Sequence, residues 1–175
     1  MKRGEKRGQF YLLTTIIIIT LIAGFVTILN YSQKKSDVKF YYLGEELGIE
    51  SENILDYGIN NDKDLKELLG NFTKTYSNYS ETQNLYFIFG NKESITVSGY
   101  KELEDGIILI DVGSGDQTLS LEKGVYNSID FAFPSNNVKV TVDEIEYNFT
   151  LRPGENFYFI ISREIEEEKY VVTNS

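Results

Sequence analysis

A chain of 175 residues with no cysteine, no histidine and no tryptophan is long enough for one core-bearing domain beyond an anchor, and that domain must hold together without a disulfide. The missing thiols and imidazoles exclude a cysteine nucleophile, Cys/His zinc sites and the usual Ser-His pairing. Charge is divided: the first 35 residues carry six basic side chains against Glu5, a net of +5, so with −10 overall the remainder carries −15, a surface that repels nucleic acid and anionic headgroups.

Residues 1–9, MKRGEKRGQ, form a basic run. The stretch Phe10–Leu29, FYLLTTIIIITLIAGFVTIL, follows with twenty residues and neither a charge nor a proline. As a helix it spans about 30 Å, the hydrocarbon thickness of a bilayer. Its polar groups are Thr14, Thr15, Thr20 and Thr27, whose hydroxyls can bond back to carbonyls of their own helix. The stretch therefore predicts a transmembrane helix over 10–29 with the lipid bilayer as its partner. Lys2, Arg3, Lys6 and Arg7 precede it, against Lys34 and Lys35 after it, which places the N-terminus in the cytoplasm and the C-terminal domain outside the cell membrane. No small-x-small cleavage pattern follows the run, so the helix is expected to stay attached as a single-pass anchor.

Arg7-Gly8-Gln9 followed directly by a long aliphatic helix resembles the class III signal peptide of archaeal type IV pilins and pilin-like surface proteins. The resemblance covers about 25 residues and implies cleavage by a membrane peptidase between Gly8 and Gln9, with the apolar helix kept on the mature chain. It further implies self-assembly, or association with other surface proteins, through that helix. The family usually places a Glu at the fifth mature position, where it pairs with a neighbour's N-terminal amine; here that position is Leu13.

Residues 30–60 read as a stalk or linker, partly helical, with Gly44 and Gly48 as interruptions and an end near Gly58. Residues 61–175 read as the outer domain. It opens with a helix over 62–79, capped by Asn61, whose stripe Leu65, Leu68, Leu69, Phe72, Tyr76 and Tyr79 is expected to lie on a sheet. From Leu85 the period becomes two. Short β-branched or aromatic runs at 85–90, 94–100, 106–112, 117–122, 125–133, 138–143, 145–151, 157–162 and 169–173 give eight or nine strands, with turns at Asp143-Glu144, Arg152-Pro153-Gly154-Glu155 and Glu166-Glu167-Glu168. The expected class is α+β: an N-terminal transmembrane helix, short helical segments, then an antiparallel β-sandwich-like domain.

Few residues suggest chemistry. Asp111-Val-Gly-Ser-Gly-Asp116, with Glu122 at the twelfth position, copies a calcium-loop frame faintly, but Gly113 and Gly115 stand where that loop needs oxygen ligands, and a hairpin turn explains it better. No Gly-Lys-Ser/Thr follows those glycines, so they form no phosphate cradle. Nothing marks any carboxylate pair as catalytic, and no cofactor or metal is expected. Of four Asn-x-Ser/Thr sequons, Asn30 lies too near the membrane and Asn148 in a strand, which leaves Asn71 and Asn78 as candidate glycosylation sites. The aromatic load of 13 Tyr and 11 Phe is expected mainly in the core, with Tyr41, Tyr42, Tyr76 and Tyr79 as the exposed members. The reading is a membrane-anchored, extracytoplasmic structural or interaction protein, pilin-like, and not an enzyme. Its alternative is a monomeric tethered surface module that binds a sugar, a cation or an envelope protein.

Overall fold

The computed structural model describes the backbone of residues 3–79, 83–165 and 168–174, and the side chains of 15–23, 40, 42–79, 83–164 and 169–174. The chain divides into two compact units, Met1–Leu43 and Gly44–Ser175. In the first unit the backbone is helical from Arg3, the start of helix α1 (Arg3–Asn60). Ile16–Ile19, Leu21 and Ile22 are each 50–60 % exposed, and the Thr20 hydroxyl donates to the Ile16 carbonyl at 2.8 Å, the internal bond expected of a threonine in an apolar helix. Among the described residues no helix is long and apolar enough to cross a membrane. Of the predicted span 10–29, the side chains of 10–14 and 24–29 lie outside the described residues, as do those of Gly8, Gln9 and Leu13.

The second unit is α+β with two antiparallel sheets. It opens with the last part of α1, which runs to Asn60 without a break at Gly44, Gly48 or Gly58. Two of these glycines allow close approach: a Cβ at Gly44 would strike Val172, and one at Gly58 would strike Leu65. The helix ends beyond them, where Asp62 turns left-handed (φ 51°) and the Lys63 N–H reaches back to the Gly58 carbonyl at 3.0 Å, a Schellman-type stop. Helix α2 (Leu65–Tyr79) begins three residues later than the sequence suggested. Its cap is Asp64, whose carboxylate accepts from the Glu67 N–H at 3.1 Å, while Asn61 instead donates from its side chain to the Tyr57 carbonyl of α1.

The strands are β1 (Asn84–Gly90), β2 (Ser94–Tyr100), β3 (Gly106–Asp111), β4 (Asp116–Leu121), β5 (Asn127–Ala132), β6 (Asn137–Val142), β7 (Ile145–Thr150), β8 (Asn156–Ile165) and β9 (Glu168–Thr173). They form a five-stranded sheet in the order β5-β2-β1-β8-β9 and a four-stranded sheet in the order β4-β3-β6-β7. One apolar cluster joins their facing sides, with Tyr86, Ile88, Val97 and Ile160 from the first sheet and Ile108, Ile110, Val138, Val140 and Phe149 from the second. The register places Leu85, Phe87 and Phe89 of β1 opposite Ile161, Phe159 and Phe157 of β8 on the other side of the first sheet. That side is covered by helix: the Phe72 ring of α2 lies 6.0 Å from Phe157, and Gly44 of α1 faces Val172 and Phe159. Asp143 and Glu144, both left-handed (φ 47° and 67°), close the β6–β7 hairpin with the backbone of a type I′ turn.

Candidate functional site

The most buried face of α2 is offset from the stripe its apolar residues suggest, though Leu69 and Phe72 of that stripe still meet the sheet. Leu69 is buried, but Thr73 and Ser77 are buried beside it, while Leu65, Leu68, Phe72 and Tyr76 are half-buried and Tyr79 is 83 % exposed. The two hydroxyls tolerate burial because each donates to its own helix, Thr73 to Gly70 O at 3.1 Å and Ser77 to Thr73 O at 2.8 Å. Thr73 also bonds Tyr126 at 2.7 Å; since its proton goes to Gly70, the phenol is the donor. Burial is the chief reason the Tyr126 phenol is held above its ordinary pKa. Tyr42 is exposed as expected, whereas burial and then the Glu46 carboxylate push the Tyr76 phenol up; the Tyr41 side chain lies outside the described residues.

Beside that face, with Gly70 in its lining, lies a groove of about 570 Å³ between α2 and strands β2 and β5. Asp130 is its fixed anion, with one carboxylate oxygen accepting from Thr96 Oγ1 at 2.6 Å and the other 2.9 Å from Lys66 Nζ. Burial alone would raise the Asp130 carboxyl, but these two partners hold it below the usual range. Ser128, Tyr126, Glu67, Gly70 and Lys74, with Asp64 and Phe89, complete the groove's lining. No element of this cleft was legible as a site, because its residues come from segments 64–74, 89–96 and 126–130 and carry no motif.

A second polar cluster sits at the end of the sheets. Lys101, 3 % exposed, follows β2 and lies with Nζ 3.0 Å from Glu104 Oε1 and 3.2 Å from Asp143 Oδ1. The second Asp143 oxygen is 2.8 Å from Lys169 Nζ on β9. Gly106 makes room for the buried amine, for a Cβ there would stand 2.6 Å from the Lys101 side chain. Desolvation works against the Lys101 ammonium, yet the bonds to Glu104 and Asp143 win and hold its pKa above the ordinary lysine value. Asp143 is the mirror case: burial would raise it, but Lys169 and Lys101 hold it below. The buried Tyr86 and Ser162 hydroxyls lie nearby without a hydrogen bond of good geometry, and burial, then Asp143, pushes the phenol up. Two ammonium groups and two carboxylates make this a charge-balanced strut.

The remaining sequence candidates fall apart from these clusters. Asn71 and Asn78 are both exposed on α2, seven residues apart and so on nearly one face. The Thr73 of the first sequon is the buried hydroxyl above, and the Ser80 of the second lies outside the described residues. Asn148, though in a strand, is exposed on β7 at the edge of the four-stranded sheet. The glycine-rich 111–116 loop is the β3–β4 hairpin. Gly113 and Gly115 take φ 93° and 102°, and the Asp111 carboxylate accepts from the Gly113 N–H at 2.7 Å, so the aspartate serves its own turn. Among the described residues no group of three or more acidic side chains is arranged to hold a metal ion. Sequence reasoning also missed Asn156, 5 % exposed, which donates to the carbonyls of Arg152 (3.1 Å) and Gly154 (3.0 Å) and accepts from the Arg152 N–H (2.8 Å), fixing the Arg152–Glu155 turn.

A scan against protein-family models finds no matching family, and searches of curated proteins and of solved structures find no match.

Proposed function

We propose that this chain is a membrane-anchored surface subunit, held by Phe10–Leu29 in the cell membrane with its N-terminus in the cytoplasm. Its acidic, β-sandwich-like domain would stand outside. The observation that carries the reading is the uncharged, bilayer-length run, whose described isoleucines and leucine are half exposed in a helix. Six such half-exposed side chains left in water would forfeit roughly 1 kcal/mol each, a loss that lipid or neighbouring copies of the helix would remove. The Arg7-Gly8-Gln9 junction supports processing at Gly8 and assembly in the manner of archaeal type IV pilin-like surface proteins. The sequons at Asn71 and Asn78 agree with an outside location.

N-terminal sequencing of the membrane-extracted protein, run beside a size analysis in detergent, tests this. Mature chains beginning at Gln9 in high-mass assemblies are expected. An intact Met1 on a monomer would overturn the assembling subunit and favour a tethered binding module, for which the α2 groove is the specific supporting feature.

A further inference from the structure

Gly70 sits inside α2 with an ordinary helical backbone, and a Cβ built on it would meet nothing within 4 Å. A glycine inside a helix costs about 1 kcal/mol relative to alanine. Gly44 and Gly58 of α1 give that up for close packing, but Gly70, like Gly48 of α1, has no such neighbour within the chain. What its missing side chain leaves open is the groove, which it lines. The opposite wall is a set of polar groups already held in place: the Asp130 carboxylate by Thr96 and Lys66, and the Tyr126 phenol by Thr73. Such groups can bond a ligand without first losing freedom of their own.

Next to Gly70 stands Asn71, exposed, at the head of Asn71-Phe72-Thr73. Glu67 and Lys74, about one turn to either side of it, both line the groove. We propose that the groove seats the proximal sugars of a glycan carried on Asn71, with Gly70 leaving room for the first ring. This rests on the reading of Asn71 as a glycan acceptor. A sugar ring presents donors and acceptors together, which suits a wall that mixes carboxylate, ammonium and hydroxyl groups and carries little net charge. Free saccharides share that chemistry, but a covalently held one reaches the groove at an effective concentration in the millimolar range, so weak contacts suffice. Attachment forms the Asn71 Nδ2–C1 bond and breaks the C1–O bond of a glycosyl phosphate donor. The amide proton leaves, and the phosphate carries away the electron pair, in a step run by a separate transferase.

The test uses full-length protein purified from glycosylating cells, treated with an N-hydroxysuccinimide acetate reagent and read by peptide mass. The wild type should carry glycan on the Asn71 peptide and acetylate Lys74 several-fold more slowly than Asn71→Gln. Gly70→Leu, which fills the groove while raising helix propensity, should keep its glycan yet label Lys74 as fast as Asn71→Gln; Gly70→Ala controls for folding. Equal Lys74 labelling in glycosylated wild type and Asn71→Gln overturns the seating while leaving glycosylation intact. A wild-type Asn71 peptide without glycan overturns both, and its mass tells the two failures apart.

Discussion

Strand β1 is buried at every position from Leu85 to Gly90, whereas β3 alternates, with Ile108 and Ile110 buried and Ile107 and Leu109 exposed at 57 % and 38 %. Both strands are central in antiparallel sheets, so pairing does not separate them. Cover does: the five-stranded sheet has its partner sheet on one side and helix on the other, while the outer side of the four-stranded sheet carries Thr118, Thr141, Lys139 and Glu146 around Leu109. A strand's hydrophobic period reports how many of its faces are covered, and the two sheets give the two answers within one unit.

The strongest way to break this contrast is to empty the covered outer side. Phe87→Ala removes a fully buried ring on the helix-facing side of β1 and is expected to cost about 3–5 kcal/mol. Urea unfolding of the outer domain measures it. A loss under about 1 kcal/mol would mean that the helices do not cover this side in solution.

Next in size is the strut that ties the sheets at one end, since Lys101 directly follows β2 and Lys169 lies on β9 of the first sheet, while Asp143 belongs to a hairpin of the second. Asp143→Asn leaves a buried ammonium with Glu104 alone and is expected to cost about 2 kcal/mol in the same experiment. The pH dependence follows from the signs. Asp143, with its folded pKa depressed, contributes fully above the unfolded carboxylate value of about 4 and loses that contribution as pH falls through its lower folded value. Lys101, with its folded pKa raised, contributes fully below the unfolded lysine value of about 10.4 and loses it as pH rises beyond that. The wild-type advantage over Asp143→Asn should therefore be level across neutral pH and shrink below about pH 4. An advantage that fell between pH 6 and 8 would contradict this assignment.

Strand positions were legible in the sequence because each run is bounded by residues chosen for turn backbone, such as Asp143-Glu144 and Pro153-Gly154. What covers each strand was not. Nothing local marks Lys101 for burial, since its partner Asp143 stands 42 residues on, and nothing local marks Thr73 and Ser77, whose hydroxyls are satisfied within α2. Gly44 looked like a helix interruption for the same reason: its use is the approach of Val172, which no local pattern contains. The groove was hidden twice over, being built from three segments and marked by a glycine that looks like a defect.

A smaller effect probes the cover itself. Asp64→Ala removes the cap of α2, one of the helical elements over the first sheet, and is expected to cost about 1 kcal/mol. Hydrogen exchange should locate the loss: amides in the first turn of α2 should exchange faster, while those of β3 and β6 in the uncovered sheet keep their protection. Equal loosening of both sheets would show that α2 stabilises the domain as a whole and not one layer of it.

The smallest expected change sharpens the comparison most. Leu109→Thr alters a partly exposed side chain on the outer side of the four-stranded sheet, among Thr118 and Thr141, and should change stability by no more than about 0.5 kcal/mol. Threonine brings the β-branched shape that strands accept, and little apolar area is lost from a side already facing water. The measurement is worth making on the isolated chain and again in the membrane-extracted form. A negligible effect in the first and a loss approaching that of Phe87→Ala in the second would mean that an assembly covers the second sheet as the helices cover the first. A negligible effect in both would leave that side as solvent-facing surface, and the two sheets as different in service as they are in sequence.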